Sequence, residues 1–103
     1  MQIQLPTTEE IASQAMVTKA LGHPSRLLIV HALLGHELCV RELRDLLGQD
    51  MSTVSRHLSV LKNAGLLREE KRGLYVYYHL NCPCIGEFLA CVGRVTAQSV
   101  ERR

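Results

Sequence analysis

The chain has 103 residues, a formal net charge of +2, and 47% hydrophobic residues with one Phe and no Trp. That length allows one domain, 1–103, around a modest aliphatic core, and so small a charge does not by itself mark a polyanion partner. No apolar run is long enough to cross a bilayer, and "MQIQLPTTEEIAS" lacks a basic-then-apolar leader. The expectation is a cytoplasmic protein whose cysteines stay reduced, which points to metal, redox or packing roles before structural disulfides.

In chain order, "TTEEIASQAMVTKALG" predicts a first helix, with capping-box spacing between Thr7 and Glu10 and a stop at Gly22. His23-Pro24 opens a second, since Pro is tolerated at the first helical position. Its body, "SRLLIVHALLG", is apolar on nearly every side and predicts a buried central helix ending at Gly35. A short third helix runs through "VRELRDLLG", with Val40, Leu43, Leu46 and Leu47 on one face. Cys39 falls at its N-cap, where a thiol accepts from backbone N–H groups less well than an oxygen.

The fourth helix begins near Asp50. Val54, Leu58 and Leu61 form its inward stripe, leaving Ser52, Thr53, Ser55, Arg56, Ser59 and Lys62 for other faces. Periodicity then changes to two. "LLREEKRGLYVYYHL" predicts a β-hairpin with Lys71, Arg72 and Gly73 at its tip. Leu74, Val76, Tyr78 and Leu80 share one face of its second strand, and Tyr75, Tyr77 and His79 the other. A final helix follows Pro83, with Ile85, Phe88, Leu89, Val92 and Val95 as its apolar stripe.

Helix, tight turn, helix and basic-tipped hairpin is the order of a winged helix-turn-helix: mainly α, five helices plus a small β-hairpin wing. The fourth helix carries what a major-groove reader needs. Short hydroxyls at Ser52, Thr53, Ser55 and Ser59 permit close approach, and the positive end of the helix dipole favours phosphate. Arg56 and His57 can reach base edges or phosphates, with Lys62 further along the helix and Lys71 and Arg72 on the wing for the flanking backbone. Each feature alone is common on solvated surfaces; their joint order favours double-stranded DNA as partner.

The segments "ALGHPSRLLIVHALL", "ELCVRELRDLLGQDMSTVSRHLSVLKNAGLL" and "REEKRGLYVYYHL" resemble the ArsR/SmtB family of bacterial transcriptional repressors over residues 12–95. The resemblance implies a homodimer, joined by its first and last helices, that holds an inverted-repeat operator and is released by an inducer. Family sites differ, and the residues present discriminate among them. The family's zinc site on the last helix needs His partners, whereas this helix offers Glu87 and Glu101 alone. A cadmium or lead site on the fourth helix needs cysteines four apart, and none occur there. The arsenite site resembles "ELCVCDLC"; here the stretch reads "ELCVRELR", with Arg41 and Arg44 where two cysteines would stand beside Cys39.

Other arsenic sensors of the family place cysteines at the end of the chain, and that resemblance implies Cys82, Cys84 and Cys91 as a relocated thiolate set for As(III) or Sb(III), soft ions that favour three sulfurs, with Cys39 as an alternative ligand. In one regular helix Cys84 and Cys91 would lie about 10.5 Å apart at ~1.5 Å per residue, too far for one ion, so Cys84 has to precede the helix or another thiol has to join. A second reading is redox or persulfide chemistry between Cys39 and the later cysteines. Catalysis is not indicated: Ser52, Ser55 and His57 share one helix without an orienting acid. A winged helix that binds only protein is the alternative of another class, and it would favour apolar residues where Ser52–Arg56 stand.

Overall fold

The computed structural model describes residues 2–101, with side chains through residue 98; residues 1, 102 and 103 of the expected domain lie outside the described residues. Five helices and three strands follow in the order α1 (Thr8–Leu21), α2 (Pro24–Leu33), β1 (Leu38–Cys39), α3 (Val40–Leu47), α4 (Met51–Asn63), β2 (Leu67–Arg72), β3 (Tyr75–Leu80) and α5 (Ile85–Glu101). The helix starts are chemically determined. Thr7 Oγ1 accepts from the Glu10 amide at 3.1 Å, and His23 Nδ1 accepts from the Ser25 amide at 3.1 Å ahead of Pro24. At α3 the cap is half-made: the Cys39 amide donates to Glu42 Oε1 at 3.0 Å, satisfying the donor that precedes the helix.

Two residues form a strand that periodicity did not reveal. Leu38 and Cys39 pair antiparallel with Tyr78 and Tyr77, so the sheet has three strands in the order β1-β3-β2. The hairpin register sets Arg72 opposite Tyr75 and Lys71 opposite Val76. Its turn is therefore Gly73-Leu74, with Gly73 at φ 61° as a two-residue hairpin requires. Lys71 and Arg72 are strand residues rather than tip residues, and Leu74 stands 98% exposed at the tip instead of continuing the inner face.

The core gathers Ile29, Val30 and Leu33 of α2, Leu43 of α3, Val54, Leu58 and Leu61 of α4, and Leu66, Leu67 and Tyr78 from the sheet region. Leu28 is 42% exposed, so α2 is buried on one side and not all round. Gly48, at φ 66°, ends α3 in the left-handed conformation and lets the chain turn into α4 within three residues. Gln49 Nε2 donates to Ser25 Oγ at 2.9 Å, tying that turn to the start of α2. No helix of the described residues is long and apolar enough to cross a membrane.

One expected surface residue belongs to this interior. His57 is buried on the inner side of α4, its ring centroid 4.5 Å from that of His23. Burial first, then the positive charges of His23, Arg26 and Arg56, hold its pKa below the usual imidazole value. It packs α4 against α2 and is not a base-reading group, because position 57 falls on the flank shared with Val54 and Leu61.

Two outcomes follow from this packing. Leu43→Ala, at a fully buried site, should lower the unfolding free energy by roughly 2–5 kcal/mol in urea titrations, whereas Leu46→Ala, at a half-exposed one, should change it by about 0.5 kcal/mol or less. For His57 the folded pKa lies below the unfolded one, so the unfolded chain takes up a proton first as pH falls. Its contribution is intact above the unfolded value of about 6.5 and is lost progressively below it. Wild-type stability should fall more steeply than that of His57→Gln between about pH 7.5 and 5; parallel curves would contradict the assignment.

Candidate DNA-reading face and thiol pair

The outward face of α4 is built from its cap. Asp50 Oδ1 accepts from the Thr53 amide at 2.7 Å and from Ser52 Oγ at 2.8 Å. These bonds, the amide first, hold the Asp50 carboxyl below the usual carboxylate range. With Val54, Leu58 and Leu61 turned inward, Ser52, Ser55, Arg56 and Ser59 fall on one exposed side, while Thr53 is half-buried beside them. The hydroxyls keep that side low enough for a duplex to approach, and the unpaired amides of the first turn lie at the same end.

The other expected cations are engaged within the protein. Lys62 Nζ lies 2.7 Å from Glu69 Oε1, and Glu69 Oε2 accepts from the Tyr78 hydroxyl at 3.1 Å. Burial, followed by this bond, pushes the Tyr78 phenol up to about 12. The chain Lys62–Glu69–Tyr78 thus fastens the end of α4 to the wing. Arg72 donates to Glu37 at 2.6 and 2.8 Å and to Glu70 at 3.0 Å, and its guanidinium lies 4.6 Å from the Tyr77 ring centroid. His79 Nε2 completes the group, 3.0 Å from Glu70 Oε2. Arg72 is therefore an internal clamp rather than a free wing cation. Of the two expected wing cations, Lys71 is the one that is exposed and in no ion pair among the described residues.

The Glu37–Glu70–Arg72–His79 group went unread in the sequence. The alternation of β2 and β3 places Glu70, Arg72, Tyr77 and His79 on one side, but Glu37 joins only because the two-residue strand β1 docks beside β3.

The cysteines separate into three environments. Cys82 and Cys84 are joined by their sulfurs, with Cα atoms 5.4 Å apart, and both are exposed in the bend between β3 and α5. Cys84 precedes the regular helix, one of the alternatives its spacing from Cys91 left open. Cys91 is exposed within α5, its Sγ accepting from Arg94 Nη2 at 2.9 Å. Cys39 is buried at the start of α3. The expected set of Cys82, Cys84 and Cys91 is not gathered in one protomer. Among the described residues the one group of three potential ligand side chains within 4.8 Å of each other is Glu37, Glu70 and His79. The separation follows from the helix: Cys91 is fixed two turns along a rigid rod from a pair that lies before it. The side chain of Glu101 lies outside the described residues.

The pair sits on a tight joint. Gly86 packs so closely on α2 that a Cβ there would meet Leu34 Cδ2 at 3.2 Å. Ile85 and Leu89 are buried in the core, while Phe88, Val92 and Val95 of the same helix are 46–63% exposed. An apolar cleft of about 250 Å³, lined in part by Val17, Leu21, Ile85 and Phe88, continues that open face onto α1.

Residues 23–69 match the family described as "Bacterial regulatory protein, arsR family". The chain is 34% identical over 73 residues to MJ1325 of Methanocaldococcus jannaschii, an HTH-type transcriptional regulator, covering 70% of this chain and 82% of that protein. It is 40% identical over 68 residues, 65% of its length, to a homolog of the cadmium resistance transcriptional regulatory protein CadC from Staphylococcus aureus, and spans 56% of that protein. The solution structure of the homodimeric winged helix-turn-helix DNA-binding domain of Mb0332 from Mycobacterium bovis is similar at a TM-score of 0.80 and 27% identity, covering 100% of this chain and 96% of that one. Sequence pattern and helix–turn–helix–wing order agree: the chain belongs to the ArsR family of bacterial regulatory proteins, as a winged-helix transcriptional repressor and not an enzyme.

Proposed function

We propose that this repressor acts in the cytoplasm as a homodimer on an inverted-repeat operator, and that As(III) or Sb(III) releases it by binding the Cys82–Cys84 pair. The observation that carries the reading is the juxtaposition of two exposed sulfurs immediately before α5. In their reduced form they offer two thiolates to a soft trivalent ion, with a solvent oxygen sufficient for a third position. Cys91 and Cys39 stand outside the pair.

Dimerisation follows from the open Phe88–Val92–Val95 face and its continuation onto α1, which water would otherwise cover at a cost of about 25 cal/mol per Å². Mb0332, similar over the whole chain, is described as homodimeric. On DNA, the Ser52–Ser55–Arg56–Ser59 side of α4 enters the major groove, and two such helices have to meet successive grooves about 34 Å apart. An ion held at the pair reshapes the bend that feeds α5. The Gly86–Leu34 contact passes that change to α2 and so to the helix-turn-helix.

The paired sulfurs favour a second reading, in which oxidation of the two thiols to a disulfide, with two electrons passed to an oxidant, is itself the signal. As(III) and diamide, added separately to reduced protein on operator DNA, distinguish the two.

Arg56→Ala should weaken operator binding by about tenfold or more in fluorescence anisotropy, the loss of one base or phosphate contact, with an unchanged unfolding midpoint. Cys82→Ser combined with Cys84→Ser should bind operator normally and no longer dissociate with As(III). Retained As(III) release in that double variant would remove the pair from the mechanism.

A further inference from the structure

A groove of about 320 Å³ runs between α1, α2 and α4, on the flank of α1 away from the apolar cleft beside α5. Its walls are largely apolar: Met16 and Ala20 of α1, with Val60 of α4 and Ala64 at its C-terminal cap. Three polar side chains open into it, Lys19, Arg26 and Asn63. Such a volume, with apolar walls and a few convergent polar groups, has the composition of a small-ligand pocket.

Arg26 gives the groove its sign. Its Nε–H is buried and has no acceptor, and none of the ion pairs among the described residues includes it. Arg26 itself, with His23 and Arg56, lies close enough to the buried His57 to help hold its pKa below the usual imidazole value. A guanidinium that is half-buried and without a carboxylate is an incomplete arrangement, because buried donors in folded proteins are almost always paired. An anion with an apolar body completes it. The carboxylate would meet Arg26 and Lys19, and the body would lie against Met16, Val60 and Ala64.

We propose that this groove binds a small organic carboxylate. The apolar walls favour such a molecule over inorganic phosphate. The site touches both the helix that continues the dimerisation face and the helix that reads DNA, yet its occupancy can be measured without operator, so it stands independently of the repressor reading.

The test is calorimetric titration of the full chain with benzoate at constant ionic strength, with benzamide as the uncharged counterpart. Saturable one-site binding of benzoate and not benzamide is expected, weakened about tenfold or more by Arg26→Met through loss of a charge-assisted pair. Val60→Phe, which fills the groove, should abolish it. Should Arg26→Met fail to fold, Lys19→Met at an exposed position provides the same readout. Equal affinity in all variants, or no saturation, overturns the proposal. So does the combination of no benzoate binding with an Arg26→Met variant that binds operator more weakly and with a shallower salt dependence, which would assign the groove to a DNA phosphate.

Discussion

Everything this protein presents to a duplex depends on the burial of one stripe, Val54, Leu58 and Leu61 on α4. Each fully buried side chain of this kind is worth about 1.5–3 kcal/mol, whereas an exposed ion pair contributes about 0–1 kcal/mol. The stripe fixes the rotation of α4 about its axis, and that rotation alone decides which hydroxyls and which cation face outward. The ionic contacts act at a second level. Lys62 with Glu69 fastens a helix already positioned by packing to the wing, and Arg72 with Glu37 and Glu70 ties the wing to the segment before β1.

A group can carry charge and still be unavailable. Of the cations on the expected reading surface, two are occupied by carboxylates and one histidine is inside, leaving Arg56 and Lys71. The expected cations that stay outside these ion pairs are thus one on the helix and one on the wing. The thiol pair lies elsewhere, at a joint between sheet and helix where a glycine packs against Leu34. Helix α2 packs against α4 and, at its end, meets Gly86 at the start of α5.

The helices were legible because their signals are local. Caps at Thr7 and Asp50, Pro24 at a helix start and the 3.6-residue stripe of α4 all act within a turn or two. The fold order was legible for the same reason. Strand β1 was not, since two residues show no periodicity and Leu38–Cys39 become a strand only when β3 arrives beside them. The same gap hid the partner of Arg72: on the sequence it is a basic residue beside a glycine, and only Glu37, thirty-five positions away, makes it a clamp. His57 shows the converse error, a polar residue type on the inner flank of a helix whose periodicity already placed it there. For the thiols, helical spacing left open whether Cys84 precedes the helix; the chain leaves it in the bend before α5, with Cys91 two turns along.

The sheet order β1-β3-β2 leaves β2 as its long open edge. After Leu67, that edge reads Arg-Glu-Glu-Lys-Arg, an unbroken run of five charged residues. A second chain laying a strand along it would bring its own side chains against this run and would have to break the ion pairs that Glu69, Glu70 and Arg72 make within the protein. Strand edges with so much charge resist templating. The charged residues whose contacts hold the wing in place therefore also keep its edge from recruiting further strands.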